Sequence, residues 1–203
     1  MDTPRVEDFP FVAVIHAIDR AGFGDDVTWA ECLGPPLSAG DFAAETIFVI
    51  CNSGMKFTVA RGIYDRVMAA LHRGESSARA FGHQGKTAAI DKVWADRSEL
   101  YGKYLAASDK LSFLRDLPWI GGITCYHLGK NFGLQVAKPD VHLARLAETF
   151  RTTPQELCER LARIHGFKVP TVDTVLWRAA AIGVLDTRTG RLVGESASAS
   201  ASA

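Results

Sequence analysis

Apolar positions recur three and four residues apart through most of this chain. That spacing is the period of an α-helix with one buried face. Over 8–21, Phe11, Val14, Ile15 and Ile18 share a face and predict a first helix. The stretch 22–36 loses the pattern to glycines, prolines and the acidic pair Asp25 and Asp26, and it reads as irregular. Asp41, directly after Gly40, predicts a cap for a helix running through Ile50. Further helices are expected over 56–71, over 86–107 as one long element, and over 111–115. Thr153-Pro154-Gln155-Glu156 carries a cap residue, a proline at the first helical position and a glutamate able to reach back, so a helix should start there and run to about His165. The last helix is expected over 170–182, with Val172, Val175, Leu176 and Ala179 inward. Strands do not alternate with helices, and no long repeat is present. The fold class expected is all-α. The Ser-Ala end over 193–203 is too small-chained to pack and is expected to be a disordered tail.

The segment 117–146 carries the chemistry. Leu117-Pro118-Trp119-Ile120-Gly121 predicts a tight turn opening into a helix whose apolar face holds Leu128 and Phe132. Gly133 stops that helix, and a short apolar strip leads to Pro139 and Asp140, which starts another helix carrying Val141, Leu143, Leu146 and Ala147. A helix start leaves N–H groups unpaired and carries partial positive charge. A glycine turn lets a phosphate approach those groups closely, a grip that ignores base sequence. The same pattern also serves as an ordinary turn between packed helices, and Asp140 alone also reads as a plain cap bonded to the N–H of Leu143 or Ala144.

Taken together the segment resembles the helix-hairpin-helix DNA glycosylases. Leu117, Pro118, Ile120, Gly121 and Thr124 fit that family's hairpin, and Asp140, His142 and Arg145 fit the run that follows it. The motif core covers about thirty residues, with a looser helical match over about 40–180. The resemblance implies a two-lobed helical fold with a central cleft. One lobe would be continuous, 38–137, ending in the hairpin. The other would join 1–37 to 138–192. It also implies Asp140 as the catalytic acid: a carboxylate near C1′ steadies the positive charge that builds on deoxyribose and orients the attacking water.

Two positions depart from the family. Trp119 stands where the first hairpin glycine is usual, and Ile123 stands where strand-cleaving members carry a Schiff-base lysine. The implied enzyme is therefore monofunctional, with water as nucleophile. Trp119, Gly121, Ile123, Thr124, Asn52 and Lys130 are the candidate DNA contacts. Lys130 and Lys138 are expected at the surface or on phosphate. Asn52, ending a helix ahead of Ser53 and Gly54, is the candidate wedge that fills the gap left by an extruded nucleotide; Asn-Ser-Gly also reads as a helix terminator. Trp29, Met55, Tyr126, His127 and Trp177 are candidates for a base pocket, with core packing the alternative for each. His83-Gln84-Gly85-Lys86 reads as a phosphate contact or a helix cap.

Composition sets the bounds. The chain is 47% hydrophobic, enough for a real core, and its Lys/Arg and Asp/Glu totals are equal at 23. The distribution is uneven: 1–55 holds 2 basic and 9 acidic residues (−7), 56–130 holds 12 and 7 (+5), and 131–203 holds 9 and 7 (+2). The central stretch is thus the expected phosphate-facing part. No uninterrupted apolar run is long enough for a membrane span, and the acidic N-terminus is unlike a secretion signal. A soluble cytoplasmic monomer acting on double-stranded DNA is expected. Cys32, Cys51, Cys125 and Cys158 are too dispersed for a zinc ribbon, and the family's iron–sulfur cluster is expected to be absent. No metal or cofactor is expected beyond the monovalent cation that family hairpins can hold. The alternative functions are a non-enzymatic helix-hairpin-helix DNA-binding protein and a bifunctional lyase with a displaced lysine.

Overall fold

The α-helices that start at Ala39, Gln84, Lys110, Val141 and Pro154 each have a side chain before them that accepts from an N–H group of the first turn. The computed structural model describes residues 4–193 and is mostly helical. Among the described residues there are eleven α-helices and one two-stranded antiparallel hairpin. The chain divides into two compact units, Met1–Leu33 with Gly133–Ala203, and Gly34–Phe132. The expected tail over 193–203 lies, apart from Val193, outside the described residues.

The continuous unit is built around α3 (Ala39–Asn52). Against it pack α4 (Phe57–His72), α5 (Gln84–Ala95), α6 (Arg97–Ala106) and α8 (Thr124–Asn131), with α7 (Lys110–Arg115) against α8. Phe42, Ile47, Ile50, Ile90, Leu114 and Leu128 are fully buried, and Phe42 stacks on Phe132 with centroids 5.4 Å apart. The discontinuous unit is built around α11 (Val169–Ala181), packed against α1 (Phe11–Arg20), α2 (Asp25–Glu31), α9 (Val141–Thr149) and α10 (Pro154–His165). Its core includes Phe11, Val14, Ile18, Leu146, Leu157, Leu161, Val172, Val175 and Leu176.

Three expectations need correction. The stretch 22–36 contains α2, whose first turn is the acidic pair Asp25 and Asp26; acids there favour a helix through its dipole, an advantage that glycine content masks in the sequence. The cap of α3 is Ser38, whose Oγ accepts from Asp41 N at 3.0 Å; Asp41 sits in the first turn, and its Oδ2 accepts a hydrogen bond from the Ser38 hydroxyl at 2.8 Å. The expected long helix over 86–107 is two, α5 and α6, broken at Asp96. The capping box at Thr153 and Glu156 forms as the sequence predicts. The short strands β1 (Leu185–Asp186) and β2 (Arg191–Leu192) carry no alternation long enough to read.

Candidate functional site

The hairpin turn lies between α7 and α8. Leu117 and Ile120 are buried and anchor it, and Ile120 N donates to Leu117 O at 3.0 Å. Trp119 stands between them at φ +65°, 44% exposed. The Gly121 N–H, expected to face a phosphate, instead donates to Thr124 Oγ1 at 2.7 Å. Gly121 and Thr124 therefore close the turn on each other. The open donors lie just beyond: the N–H groups of Gly122, Ile123 and Thr124 make none of the hydrogen bonds found among the described residues. Gly122 and Ile123 are exposed, Ile123 at 55%. Three unpaired donors thus stand at the start of α8, two of them on the expected DNA contacts Ile123 and Thr124.

The turn that ends α3 is tied to this hairpin within the same unit. Trp119 Nε1 donates to Ser53 Oγ at 3.2 Å, and Ser53 Oγ donates to Ile50 O at 2.9 Å. The Trp119 indole also meets the His83 ring edge-on, centroids 5.1 Å apart. Lys86, at the start of α5 and almost fully buried, donates from Nζ to Cys51 O at 3.1 Å and Ser53 O at 2.6 Å. Burial pushes the Lys86 ammonium below its ordinary value, with Cys51 pulling the other way. Burial pushes the Cys51 thiol up to about 11, against the pull of Lys86. His83 caps α5: its Nδ1 accepts from Lys86 N at 3.3 Å. Asn52 and Met55, half-buried, thus sit on a turn held from two sides.

Asp140 belongs to the discontinuous unit and caps α9. Its Oδ1 accepts from His142 N at 3.0 Å and Leu143 N at 3.1 Å, so the second cap donor is His142 rather than Ala144. Oδ2 takes none of the hydrogen bonds found among the described residues, and the residue is half-buried rather than sealed. The strip before it is laced to α10 and α11. Ala137 N donates to Gln155 Oε1 at 2.8 Å, Gln155 Nε2 donates to Gln135 O at 2.9 Å, and Gln135 Oε1 accepts from Val169 N at 3.1 Å. Lys138 N donates to Asp173 Oδ2. Asp173, 2% exposed, is a positioning carboxylate that sequence reasoning missed; its signal was an acid on the apolar face of α11, between Val172 and Val175.

Other candidates fare unevenly. Lys130 is buried, 7% exposed, which corrects its assignment as a surface phosphate contact: its face of α8 turns into the unit beside Leu128 and Asn131. Trp29 is 48% exposed on α2, and Trp177 lies under the Arg178 guanidinium at 4.8 Å; both belong to the discontinuous unit. Met55, Tyr126 and His127 are half-buried in the other. An open groove over α10 is lined by Arg151, Thr152, Glu156, Glu159, Arg160 and Arg163 and includes none of the candidates. A second missed feature is the pair Glu45 and Asn131. Asn131 Nδ2 donates to Glu45 Oε1 at 2.6 Å, while the buried Asn131 Oδ1 has no partner. Burial pushes the Glu45 carboxyl up, with the Asn131 hydrogen bond and the Arg61 charge opposing.

No group of His, Cys, Asp or Glu among the described residues could hold a metal ion. In the hairpin, the carbonyls of Leu117, Gly121 and Gly122 accept from Ile120 N, from Cys125 N and Thr124 Oγ1, and from Cys125 Sγ. No helix among the described residues is long and apolar enough to cross a membrane. No family model, curated protein or solved structure matches the chain.

Proposed function

We propose that this chain is a monofunctional DNA N-glycosylase of the helix-hairpin-helix type, excising a damaged or modified base from double-stranded DNA and leaving an abasic site. The observation that carries the reading is the division of labour at Asp140: Oδ1 is spent on capping α9, and Oδ2 is left for chemistry. The free N–H groups of Gly122, Ile123 and Thr124 support it as a grip on the sugar-phosphate backbone that is blind to sequence. A duplex base is beyond reach of a fixed side chain, so the nucleotide rotates out, with Asn52 filling the gap.

In this reading the N-glycosidic bond breaks with its electron pair leaving on the base. Asp140 steadies the resulting sugar cation, and its Oδ2 orients a water whose oxygen bonds to C1′ while a proton passes to the carboxylate. Ile123 at the hairpin offers no amine for a Schiff base. Lys86 is held on two carbonyls and Lys130 is buried, so neither presents a displaced lysine. The protein would act as a monomer in the cytoplasm.

The test is a panel of duplexes, each with one altered base, scored for alkali-labile sites. Asp140→Asn keeps a capping side chain, so it should stay folded. It should lose about 100-fold or more of excision while still binding duplex. An Asn variant as active as the parent removes Asp140 from the chemistry. Duplex binding without excision of any base leaves a DNA-binding module, and a borohydride-trapped adduct in the parent points to the lyase.

A further inference from the structure

Trp119 occupies a backbone conformation that glycine adopts freely and a bulky side chain does not. Its neighbours are arranged to keep it there. Gly85, the second residue of α5, could carry no side chain: an added Cβ would lie 2.5 Å from Trp119 Cζ3. His83 presents its ring to the indole while its Nδ1 caps α5. The indole N–H then reaches Ser53, whose hydroxyl goes on to Ile50 O at the end of α3. The path from hairpin to the Asn52 turn is thus one indole and one hydroxyl, with Lys86 bracing the same turn from below. A turn required only to join α7 and α8 would be relieved by glycine at position 119.

We propose that Trp119 is a positioning residue: it makes the backbone-gripping turn and the Asn52 turn one rigid surface, so that phosphate grip and nucleotide extrusion occur in fixed register. The proposal rests on the glycosylase reading, and it gives the departure from a hairpin glycine a task of its own. Two loosely joined loops would bind duplex nearly as well but push into the stack poorly, because the wedge could yield instead of the DNA.

The probe is a duplex with one tetrahydrofuran abasic-site analogue flanked by 2-aminopurine, whose fluorescence rises when a wedge unstacks it; anisotropy on the same duplex reads affinity. Ser53→Ala and Trp119→Phe, which keeps the ring and drops the N–H, should each cut the fluorescence rise about threefold with Kd changing less than about twofold. The double variant should be no worse than Ser53→Ala, because the Trp119–Ser53 bond is already lost there together with the Ser53–Ile50 bond. Trp119→Gly should cut the rise about tenfold with a much smaller effect on Kd. An intact rise in Trp119→Gly, additive losses in the double variant, or affinity and fluorescence falling in parallel in all variants would each overturn the proposal. Failure of the glycosylase reading looks different: the parent itself would neither bind the duplex nor raise its fluorescence. The tie is then read from the Trp119 indole N–H resonance, which Ser53→Ala must displace if the strut exists and leaves in place if it does not.

Discussion

Replacing Glu45 by glutamine should make this protein more stable at neutral pH, although a charge that Arg61 attracts is lost. Glu45 sits on α3, crowded by the continuous unit, and its Oε1 accepts from Asn131 Nδ2. Asn131 Oδ1 is left without a donor. An unmade buried hydrogen bond costs about 1–3 kcal/mol. A glutamine can keep the first bond through its carbonyl and offer its own amide N–H to Asn131 Oδ1, recovering about 1 kcal/mol of that. The pH dependence has a definite sign. The folded carboxyl lies above its unfolded value because burial disfavours the charge. The folded state therefore holds the proton more tightly, so stability is greatest below the ordinary carboxylate range and falls as pH rises through the raised value. The advantage of Glu45→Gln should accordingly be small near pH 4 and largest near pH 8.

Thermal melts of the two proteins across that range read the effect. About 1 kcal/mol moves Tm by roughly 2–4 °C if both units melt together, and by roughly 4–8 °C if the continuous unit melts alone. A difference that does not vary with pH would show that Glu45 titrates as it does in the unfolded chain. A variant clearly less stable at pH 8 would show that the attraction of Arg61 outweighs desolvation, and the reasoning would be wrong.

Asp173→Ala should leave the Lys138 N–H without its partner and lower stability by about 1.5–3 kcal/mol, read by urea denaturation. Excision should fall further than the folded fraction, because the strip holding Asp140 loosens; activity tracking folded protein alone would reduce Asp173 to a structural role. Gly121→Val places its Cβ no closer than 3.9 Å to Thr124 Oγ1, so it should fold normally. Its branches should obstruct a duplex, weakening binding to all sequences alike and flattening the salt dependence by about one phosphate contact in a log–log affinity plot. An unchanged slope would take the turn out of the interface.

The helices were legible wherever one face is apolar and a cap is local. The Thr153 capping box, the inward face of α11 and the stop at Gly133 follow from residues a few positions apart. The break between α5 and α6 did not show, because Asp96 is an ordinary helix residue and its break depends on what the flanking turns pack against. Asp140 was legible as a helix cap, and its Oδ1 accepts from Leu143 N as expected. The Gly121 N–H is taken up within the turn, since the preference of Thr124 Oγ1 for it is a matter of rotamer that the sequence does not display. Lys130 was misread for a related reason: a lysine near a helix end looks solvated unless the register of its face is known. The Glu45–Asn131 bond spans 86 residues of sequence and the Trp119–Ser53 bond spans 66, and no local pattern encodes either.

The buried Lys86 raises a question about α3 that its apolar contacts do not answer. Leucine-like packing tolerates small rotations of a helix, whereas an ammonium on two named carbonyls does not. The C-terminal end of a helix carries partial negative charge, so a cation there is stabilised even as burial opposes it. A buried charge is nevertheless a poor way to gain stability, and its best-attested service is to fix register. Asn52 is the last residue of α3, so a rotation of α3 carries it directly. Lys86→Met keeps the stem's length and apolar packing but strips the donors from Cys51 O and Ser53 O. The expected loss is about 1–3 kcal/mol, the cost of leaving a buried acceptor unpaired at Cys51 O. Local opening should rise much more. Amide exchange at 53–55 should quicken well beyond the rest of α3, with the middle of the helix protected as before. Exchange rising evenly through the continuous unit would mean that Lys86 serves global stability, and that the Asn52 turn owes its position to packing alone.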